Sequence, residues 1–273
     1  MAPQSRPIVF MSDFGLNNEW VGTCHLVMRR IAPESPVIDL SHLIPALNVL
    51  NGALLLADSV RFLPDDAVVL AAVDPRVGKD RYVAVQAADG RMFVGPDNGL
   101  LSPTLALTGI DKAVEITSPD VIVEPVAPSF RTRDILSPAT AHLAAGMDID
   151  DLGPTIEPET LVTLAAPEPE VERGKIACEV IDFNRFGNLT LNVREQHLAA
   201  ADLNDGAHIA VETTSASAHA RRAHTYGDFE QGEYGVIIDP RGWLMVVRGN
   251  PASAIQGLGV DVGDPVWLSG EDP

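Results

Sequence analysis

The stretch Val68-Val69-Leu70-Ala71-Ala72-Val73-Asp74-Pro75-Arg76-Val77-Gly78-Lys79-Asp80-Arg81-Tyr82-Val83-Ala84-Val85 decides how the chain is read. Two apolar, β-branched runs of strand length flank a short polar loop. The pattern predicts Asp74 at the carboxyl end of one buried strand and Arg81 at the start of the next, the two forming a central hairpin. Open α/β sheets bind ligands beyond the carboxyl ends of their strands, which makes this loop a candidate site. Pro75 keeps Asp74 extended and Gly78 lets the loop reverse, so a carboxylate and a guanidinium can be aimed at one point. A permanent cation nearby keeps an aspartate ionised. On these residues alone, a salt bridge that only ties two strands together is an equal alternative.

Moving toward the amino terminus, Pro7-Ile8-Val9-Phe10-Met11-Ser12-Asp13-Phe14-Gly15 reads as a short apolar strand ending in a polar turn. A strand-end carboxylate at Asp13 can accept both protons of a vicinal diol such as that of a ribose. Capping of the following helix is the alternative role. Apolar residues at helical spacing run from Trp20 to Ile31 and stop before Pro33. His25 lies in this helix and reads as a surface or internally satisfied histidine. Pro36 to His42 reads as a second strand with a polar end, where His42 is a ligand, a base or, most commonly, a loop hydrogen-bonder. A helix is expected over Asn51 to Val60.

Moving the other way, Arg91 to Leu101 reads as a strand, a turn containing Gly95-Pro96-Asp97-Asn98-Gly99, and a helix start. Asn98-Gly99 on its own is only a turn signal. Short extended pieces are expected at Val114 to Ser118 and Val121 to Val126. Pro128-Ser129-Phe130-Arg131-Thr132-Arg133-Asp134 then leads into a helix over Ile135 to Ala145. Hydroxyls and cations concentrated in this loop suit an anionic ligand; an exposed basic loop is the bland reading. Repeated strand-helix alternation predicts an α/β domain with a central mixed sheet.

Beyond Asp148 the composition changes, as Pro154, Pro158, Pro167 and Pro169 alternate with acidic residues that cannot build a core. The expected organisation is an α/β domain over 1–165, a linker over 166–172, and a second domain over 173–273. Strand-like runs punctuated by Gly and Asp turns recur in the second domain, at Lys175 to Ile181, Leu189 to Val193, His208 to Glu212, Tyr234 to Ile238, Leu244 to Val247 and Pro265 to Leu268. Short strands at even spacing predict a small β-barrel.

Bulk properties bound the partners. The 273 residues include 38 acidic against 19 basic side chains, a formal charge of -19. Neither nucleic acid nor an anionic membrane is expected as partner, because each calls for a basic patch. Cys24 and Cys178 fit neither a disulfide framework nor a zinc spacing, and read as buried free thiols. The amino terminus lacks the apolar core of a signal peptide, and no uncharged run is long enough to span a bilayer, so a cytoplasmic location is expected.

Taken together, Ser12-Asp13-Phe14-Gly15, Val73-Asp74-Pro75-Arg76-Val77-Gly78, Gly95-Pro96-Asp97-Asn98-Gly99-Leu100-Leu101, Phe186-Gly187-Asn188-Leu189 and Arg241-Gly242 resemble, in that order, the S-adenosylmethionine hydroxide adenosyltransferase family, which also includes fluorinases and chlorinases. The resemblance covers nearly the whole chain. It implies an amino-terminal α/β domain, a carboxy-terminal β-barrel, and a homotrimer whose sites lie between one subunit's first domain and its neighbour's second. It also implies cleavage of S-adenosylmethionine at C5′, with water or hydroxide giving adenosine and methionine. The sulfur departs neutral, so no general acid, metal or second cofactor is demanded.

By the same resemblance, Asp13 is the ribose-diol acceptor, and Asp74 with Arg81 handles the water. The halogenating branch has a tyrosine at the position of Asp74; a carboxylate there repels a halide and accepts a proton from water. The hydrolases have a histidine after Phe130, whereas this chain has Arg131, which stays protonated and cannot act as a base. Arg131 would act electrostatically, with Thr132 beside it as a hydrogen-bonding group for the water. Asn188 and Tyr226 match the adenine shell; Phe186 packs beside them or serves the core, and Phe130 is a further substrate-binding candidate. Arg241, Arg248 and Asn250 match the segment that contacts the methionine carboxylate and the adenine-side backbone. Asn184 occupies the position of the hydrolases' acidic residue and Asp182 lies two earlier, so both are candidates for the methionine ammonium. Pro240 stands where the halogenases have a hydroxyl residue. Other classes to separate from a hydrolase are a non-catalytic nucleoside binder, a halogenase, and a phosphohydrolase holding a metal on Asp13, Asp74, Asp97 and His42.

Overall fold

Fully apolar runs become the inner strands of the first unit. In the computed structural model, which describes residues 5–73, 81–165, 167–204, 207–249 and 253–271, the chain divides into two compact units, Met1–Ala165 and Ala166–Pro273. The first unit holds strands β1 (Ile8–Ser12), β2 (Val37–Ser41), β3 (Val68–Ala72), β4 (Tyr82–Gln86), β5 (Met92–Pro96) and β6 (Lys112–Glu115). Its helices are α1 (Trp20–Ile31), α2 (Val49–Ser59), α3 (Ser102–Thr108) and α4 (Ser137–Ala144). The strands form one mixed sheet in the order β2-β1-β3-β5-β4-β6. β2, β1, β3 and β5 run parallel, while β4 is antiparallel to β5 and to β6. Every residue of β1 and β3 is buried, as expected of parallel strands covered on both faces. α1 and α4 pack Cys24, Met28 and Leu143 with Ile8, Phe10, Val68 and Leu70 on one face. α2 and α3 pack Ala53, Leu56 and Leu105 with Val9, Met11, Val69 and Ala71 on the other.

The central hairpin read from the sequence is not formed. β5 lies between β3 and β4, and the hairpin is β4 with β5. Both edges of β3 are taken by parallel neighbours, β1 and β5, and shared apolar character does not encode which strands pair. The expected strand at Val121 to Val126 is also absent. A 3-10 turn spans Pro119–Val121, and Pro119 and Pro125 lack the N–H a ladder needs. The helix expected from Ile135 begins earlier as a π turn, Thr132–Leu136, that runs directly into α4.

Connections place the site. The chain leaves β1 through α1 to β2 on one side, then returns through α2 to β3 on the other side of β1. The strand order therefore reverses between β1 and β3, the place where doubly wound sheets open a ligand crevice. Ser12 pairs with Ala72 in that parallel ladder, so the segments that follow each strand start side by side.

The second unit contains β7 (Glu170–Glu172), β8 (Lys175–Phe183), β9 (Leu189–Arg194), β10 (His208–Thr213), β11 (Ser217–Arg222), β12 (Tyr234–Ile238), β13 (Trp243–Arg248) and β14 (Pro265–Glu271), with short helices α5 (Glu195–Ala200) and α6 (Ala254–Leu258). The order β14-β10-β11-β12-β13-β9-β8 closes through a β14–β8 ladder into a seven-stranded barrel, and β7 adds to β8. Leu189, Leu191, Val193, Leu244 and Val246 alternate inward. β7 lies within the segment expected to be a linker. β11 had no sequence signal, because Ser217 to Arg222 lacks β-branched and aromatic residues. Its inward Arg222 is only 5% exposed and is satisfied by Glu195 Oε1 and the Leu203 carbonyl, each at 2.5 Å. Both cysteines are buried free thiols, and burial pushes Cys24 up to about 11. No described helix is long and apolar enough to cross a membrane.

Candidate functional site

The carboxyl edge of the first sheet gathers polar groups from separate strands. Asp13 follows β1, and its Oδ2 accepts the Leu47 N–H at 2.9 Å. It does not cap the following helix, since α1 is preceded by Glu19, without a side-chain cap. Holding Leu47 this way stabilises its left-handed backbone, φ 63°, which an ordinary side chain adopts reluctantly. Asp74 and the residues to Asp80 lie outside the described residues; Val73, just before, is fully buried. Asn98, after β5, donates its Nδ2 hydrogen to the Val73 carbonyl at 2.9 Å and accepts the Leu100 N–H on Oδ1 at 3.1 Å. The residue leading into Asp74 is thus anchored by the neighbouring strand's turn. β5 comes this close because Gly95 has no side chain; a Cβ there would sit 2.7 Å from the Ala71 carbonyl oxygen.

Arg81 reaches the same edge because β4 begins opposite the end of β5, Tyr82 against Pro96. Its Nε donates to Asp97 Oδ2 at 2.5 Å, and its Nη2 donates to the Thr160 carbonyl at 2.5 Å and hydroxyl at 3.0 Å. Asp97 uses its other oxygen to accept the Val162 N–H at 2.8 Å. Among the described residues, Arg81 therefore ties the β5 turn to the 158–162 segment. Asp97 is committed to that bond, and Asp13, Asp97 and His42 do not bring metal-ligating atoms together among the described residues.

A second loop joins this edge through aromatic contacts. The Phe14 ring lies edge-on to Phe130, centroids 5.7 Å apart, and both touch Trp20. Phe130, Arg131 and Thr132 are brought beside the Asp13 turn in this way. Thr132 is 1% exposed, and the buried Arg131 Nε has no hydrogen-bond partner among the described residues. The neighbouring cation is already used: Arg133 stacks over Phe130 at 5.0 Å and its Nε donates to Asp134 Oδ1 at 2.6 Å. Burial alone would raise the Asp134 carboxyl, but the Arg133 hydrogen bond, the Ala127 N–H and nearby positive charge hold it below its ordinary value. The π turn that presents Thr132 is a form often found at functional sites.

In the second unit, the turn between β8 and β9 carries the other candidates. Asn184 Oδ1 accepts the N–H groups of Phe186 at 2.9 Å and Asn188 at 3.2 Å, so Asn184 organises the turn. Gly187 within it has φ 76°. Asn184 Nδ2 reaches Met245 Sδ, which also accepts the Tyr226 hydroxyl at 3.2 Å. Burial first, then the charge of Asp239, raises the Tyr226 phenol, opposed by a hydrogen bond with Asn188. The rings of Phe186 and Tyr226 stay exposed, at 72% and 55%. Arg241 spreads its fork over Asp239 Oδ2 at 2.8 Å, Thr190 Oγ1 at 3.2 Å and Asp182 Oδ2 at 3.4 Å. Asp182, Asn184, Asn188, Tyr226 and Arg241 thus share one patch.

Arg248 is not in it. It ends β13 on the face opposite Met245, with its guanidinium 4.9 Å over the Tyr234 ring and Nε donating to the Gly232 carbonyl. Asn250 lies outside the described residues.

Both units match family models. Residues 8–153 match the SAM hydroxide adenosyltransferase N-terminal domain, and residues 178–267 match its C-terminal domain. The chain belongs to the SAM hydroxide adenosyltransferase family. It is 40% identical to the (R)-S-adenosyl-L-methionine hydrolase of Salinispora tropica, over 94% of this chain and 95% of that protein. A fluorinase of Actinopolyspora mzabensis is 27% identical, over 91% and 92% of the two chains. The crystal structure of an uncharacterized conserved protein from Thermotoga maritima superposes with a TM-score of 0.88 at 28% identity, covering 96% of this chain and 99% of that one.

In this member of the family several site-building residues carried no clear sequence signal. Asn98 looked like a turn residue but anchors Val73. Thr160 lies in a proline-rich stretch that reads as the approach to a linker, yet it holds Arg81. Asp239, 4% exposed, orients Arg241 and also accepts the backbone N–H groups of Arg241 and Trp243. Its spacing before Pro240-Arg241-Gly242 was the available clue, since Asp commonly binds the backbone two residues on.

Proposed function

We propose that the protein hydrolyses S-adenosyl-L-methionine to adenosine and L-methionine, by attack of a water oxygen on C5′ of the ribose. What supports this reading is the Ser12–Ala72 register at the switch point, which sets Asp13 and Val73, the residue before Asp74 in sequence, at the ends of neighbouring strands. Asp13 accepts the ribose diol. Asp74 orients a water in line with the C5′–S bond and takes its proton. As the new C5′–O bond forms, the C5′–S bond breaks and its electron pair stays on the methionine sulfur, which leaves neutral. No metal or organic cofactor enters the step. Positioning supplies most of the rate, since alignment of reacting groups can be worth roughly 7–11 kcal/mol.

Arg131 takes the place of the family's histidine as an electrostatic group. A buried guanidinium N–H without a partner among the described residues suits a negatively charged acceptor, either Asp74 or the developing hydroxide. Thr132 adds a hydroxyl to hold the water. Arg81 braces the edge through Asp97 and Thr160.

In the second unit, the zwitterionic head of methionine matches the Asp182–Arg241 pair, with its ammonium to Asp182 and its carboxylate to the Arg241 fork. Asn184 is the weaker candidate for the ammonium because its oxygen already accepts two backbone N–H groups. Tyr226, Phe186 and Asn188 serve the adenine, and Arg248 serves the barrel end. A homotrimer, with the ribose half of one chain completed by the methionine half of a neighbour, is the assembly proposed; light scattering of the purified protein reads it directly.

The experiment is to incubate the protein with the (R) epimer of S-adenosyl-L-methionine in the presence of a chelator. Adenosine and methionine in equal amounts, lost in Asp74→Ala, support the reading. Tight binding with no adenosine above background would make the protein a receptor instead. Abolition by the chelator would point to metal-dependent hydrolysis.

A further inference from the structure

We infer that His25, Asp39 and His42 form a binding site for a divalent transition-metal ion of the zinc class, beside the Ser12-Asp13 turn. The ligating atoms are His25 Nε2, Asp39 Oδ1 and His42 Nε2, all within 4.8 Å of one another. His25 Nε2 lies 2.8 Å and His42 Nε2 3.0 Å from Asp39 Oδ1. Zinc takes imidazole nitrogen and carboxylate oxygen at about 2.0–2.2 Å in a tetrahedron, which separates its donors by roughly 3.3–3.6 Å. Small side-chain rotations that open these two contacts by about half an ångström bring both imidazole nitrogens to zinc-like separations from the carboxylate oxygen.

Three details mark this as a built arrangement. First, Asp39 and His42 stand at i and i+3 near the end of a strand, where simple alternation would send them to opposite faces. The register shifts between Phe10–Asp39 and Met11–Ser41, so one extra residue on β2 restores a common face; bulges re-aim side chains in this way. Second, the His42 side chain is 2% exposed, and its Nε2 has only the ion-pair approach to Asp39 Oδ1 at 3.0 Å, with no well-directed hydrogen bond among the described residues. A contact with poor directionality leaves this buried nitrogen able to gain from a better-aimed ligand. Third, His42 Nδ1 lies 2.7 Å from Ser12 Oγ. When Nε2 binds a metal, Nδ1 carries the proton and donates it to that hydroxyl, the outer support that metal-bound histidines commonly have. The Phe10 ring, 4.5 Å from His42 and 6.0 Å from His25, steadies both imidazoles.

His25 and Asp39 are partly exposed, so an ion can enter and a water can complete the tetrahedron. Mixed imidazole and carboxylate donors favour zinc, cobalt, nickel or copper over magnesium or calcium. The ion would tie α1 to β2 and, through Ser12, stiffen the turn that carries Asp13. This inference does not depend on the hydrolase reading.

The test uses metal-stripped full-length protein, titrated with zinc chloride by calorimetry and with cobalt chloride by visible absorption. Expected are one equivalent per chain, a tetrahedral cobalt spectrum, and a melting temperature that rises with zinc, because the ion binds the folded state. His25→Ala and Asp39→Asn, both at partly exposed positions, should remain folded by circular dichroism and bind zinc at least about tenfold more weakly. Absence of saturable uptake, or unchanged affinity and stoichiometry in both folded variants, overturns the site. Adenosine production in chelator reads the hydrolase proposal separately.

Discussion

Replacing Asn98 by Ala tests whether the β5 turn positions the residue before the proposed catalytic aspartate. The substitution removes the donor to the Val73 carbonyl and the acceptor for the Leu100 N–H, and both Val73 and Leu100 are fully buried. An unsatisfied buried carbonyl costs about 1–3 kcal/mol, and the second bond contributes about 0.5–1.5 kcal/mol. The expected loss is therefore about 1.5–4.5 kcal/mol, or a melting shift of roughly 3–18 °C for a unit of this size. Function should suffer beyond stability. A small displacement of Asp74 should lower kcat by about 10–100-fold, while adenosine affinity, which rests on Asp13 and the barrel patch, stays within about threefold. Calorimetric melting, adenosine titration and turnover below the melting range separate these effects. Unchanged melting and turnover, or a parallel fall in adenosine affinity and kcat, would refute the anchoring role.

Arg81→Ala strips Asp97, whose side chain is 6% exposed, of its cation. The loss is expected at about 2–3 kcal/mol, toward the low end for a broken buried pair because Arg81 is itself partly exposed. Arg81→Lys should recover less than half of the lost stability, since an ammonium lacks the planar fork that spans Asp97 and Thr160; urea melts measure both. Arg241→Leu should raise KM for S-adenosylmethionine by more than about tenfold, yet leave turnover of the decarboxylated substrate nearly unchanged, as steady-state assays on the pair would reveal. His142 has its pKa lowered by burial, so the unfolded chain binds its proton more readily. The stabilisation is present above about 6.5, the ordinary histidine value, and is lost as pH falls through the lower folded value. Wild type should therefore lose stability on acidification from neutral pH more steeply than His142→Gln, read by denaturant midpoints across pH.

Much of the fold was legible because the inner strands are written as unbroken apolar runs. The short, β-branched runs Ile8 to Ser12 and Val68 to Ala72 read as buried strands, and the alternation in Leu189 to Val193 fits a barrel wall. The order of pairing was not legible: nothing in Val68 to Val85 says that β5 must enter between β3 and β4. That follows from the α2 crossover, which places β3 beside β1, leaving β3 a free edge that β5 occupies in parallel. Ser217 to Arg222 was hidden for a different reason, since its inward arginine is tolerated only through Glu195 and the Leu203 carbonyl, partners distant in sequence.

The site divides along the same line. Asp13 was visible as a carboxylate ending an apolar strand. The roles of Asn98, Thr160 and Asp239 depend on groups brought close only by folding. The loop at Pro128 to Asp134 read as a concentration of hydroxyls and cations, but Arg133 is neutralised by its own neighbour. Arg131 is the member left with a buried, unpartnered N–H among the described residues.

The most direct measurement is a single-turnover reaction of the protein with S-adenosyl-L-methionine in oxygen-18 water, followed by mass spectrometry of both products. The account predicts one heavy oxygen in the 5′-hydroxyl of adenosine and none in methionine, with Asp74→Asn abolishing the labelled product while adenosine still binds. Unlabelled adenosine, label in methionine, or full activity in Asp74→Asn would contradict attack at C5′ by a water that Asp74 prepares.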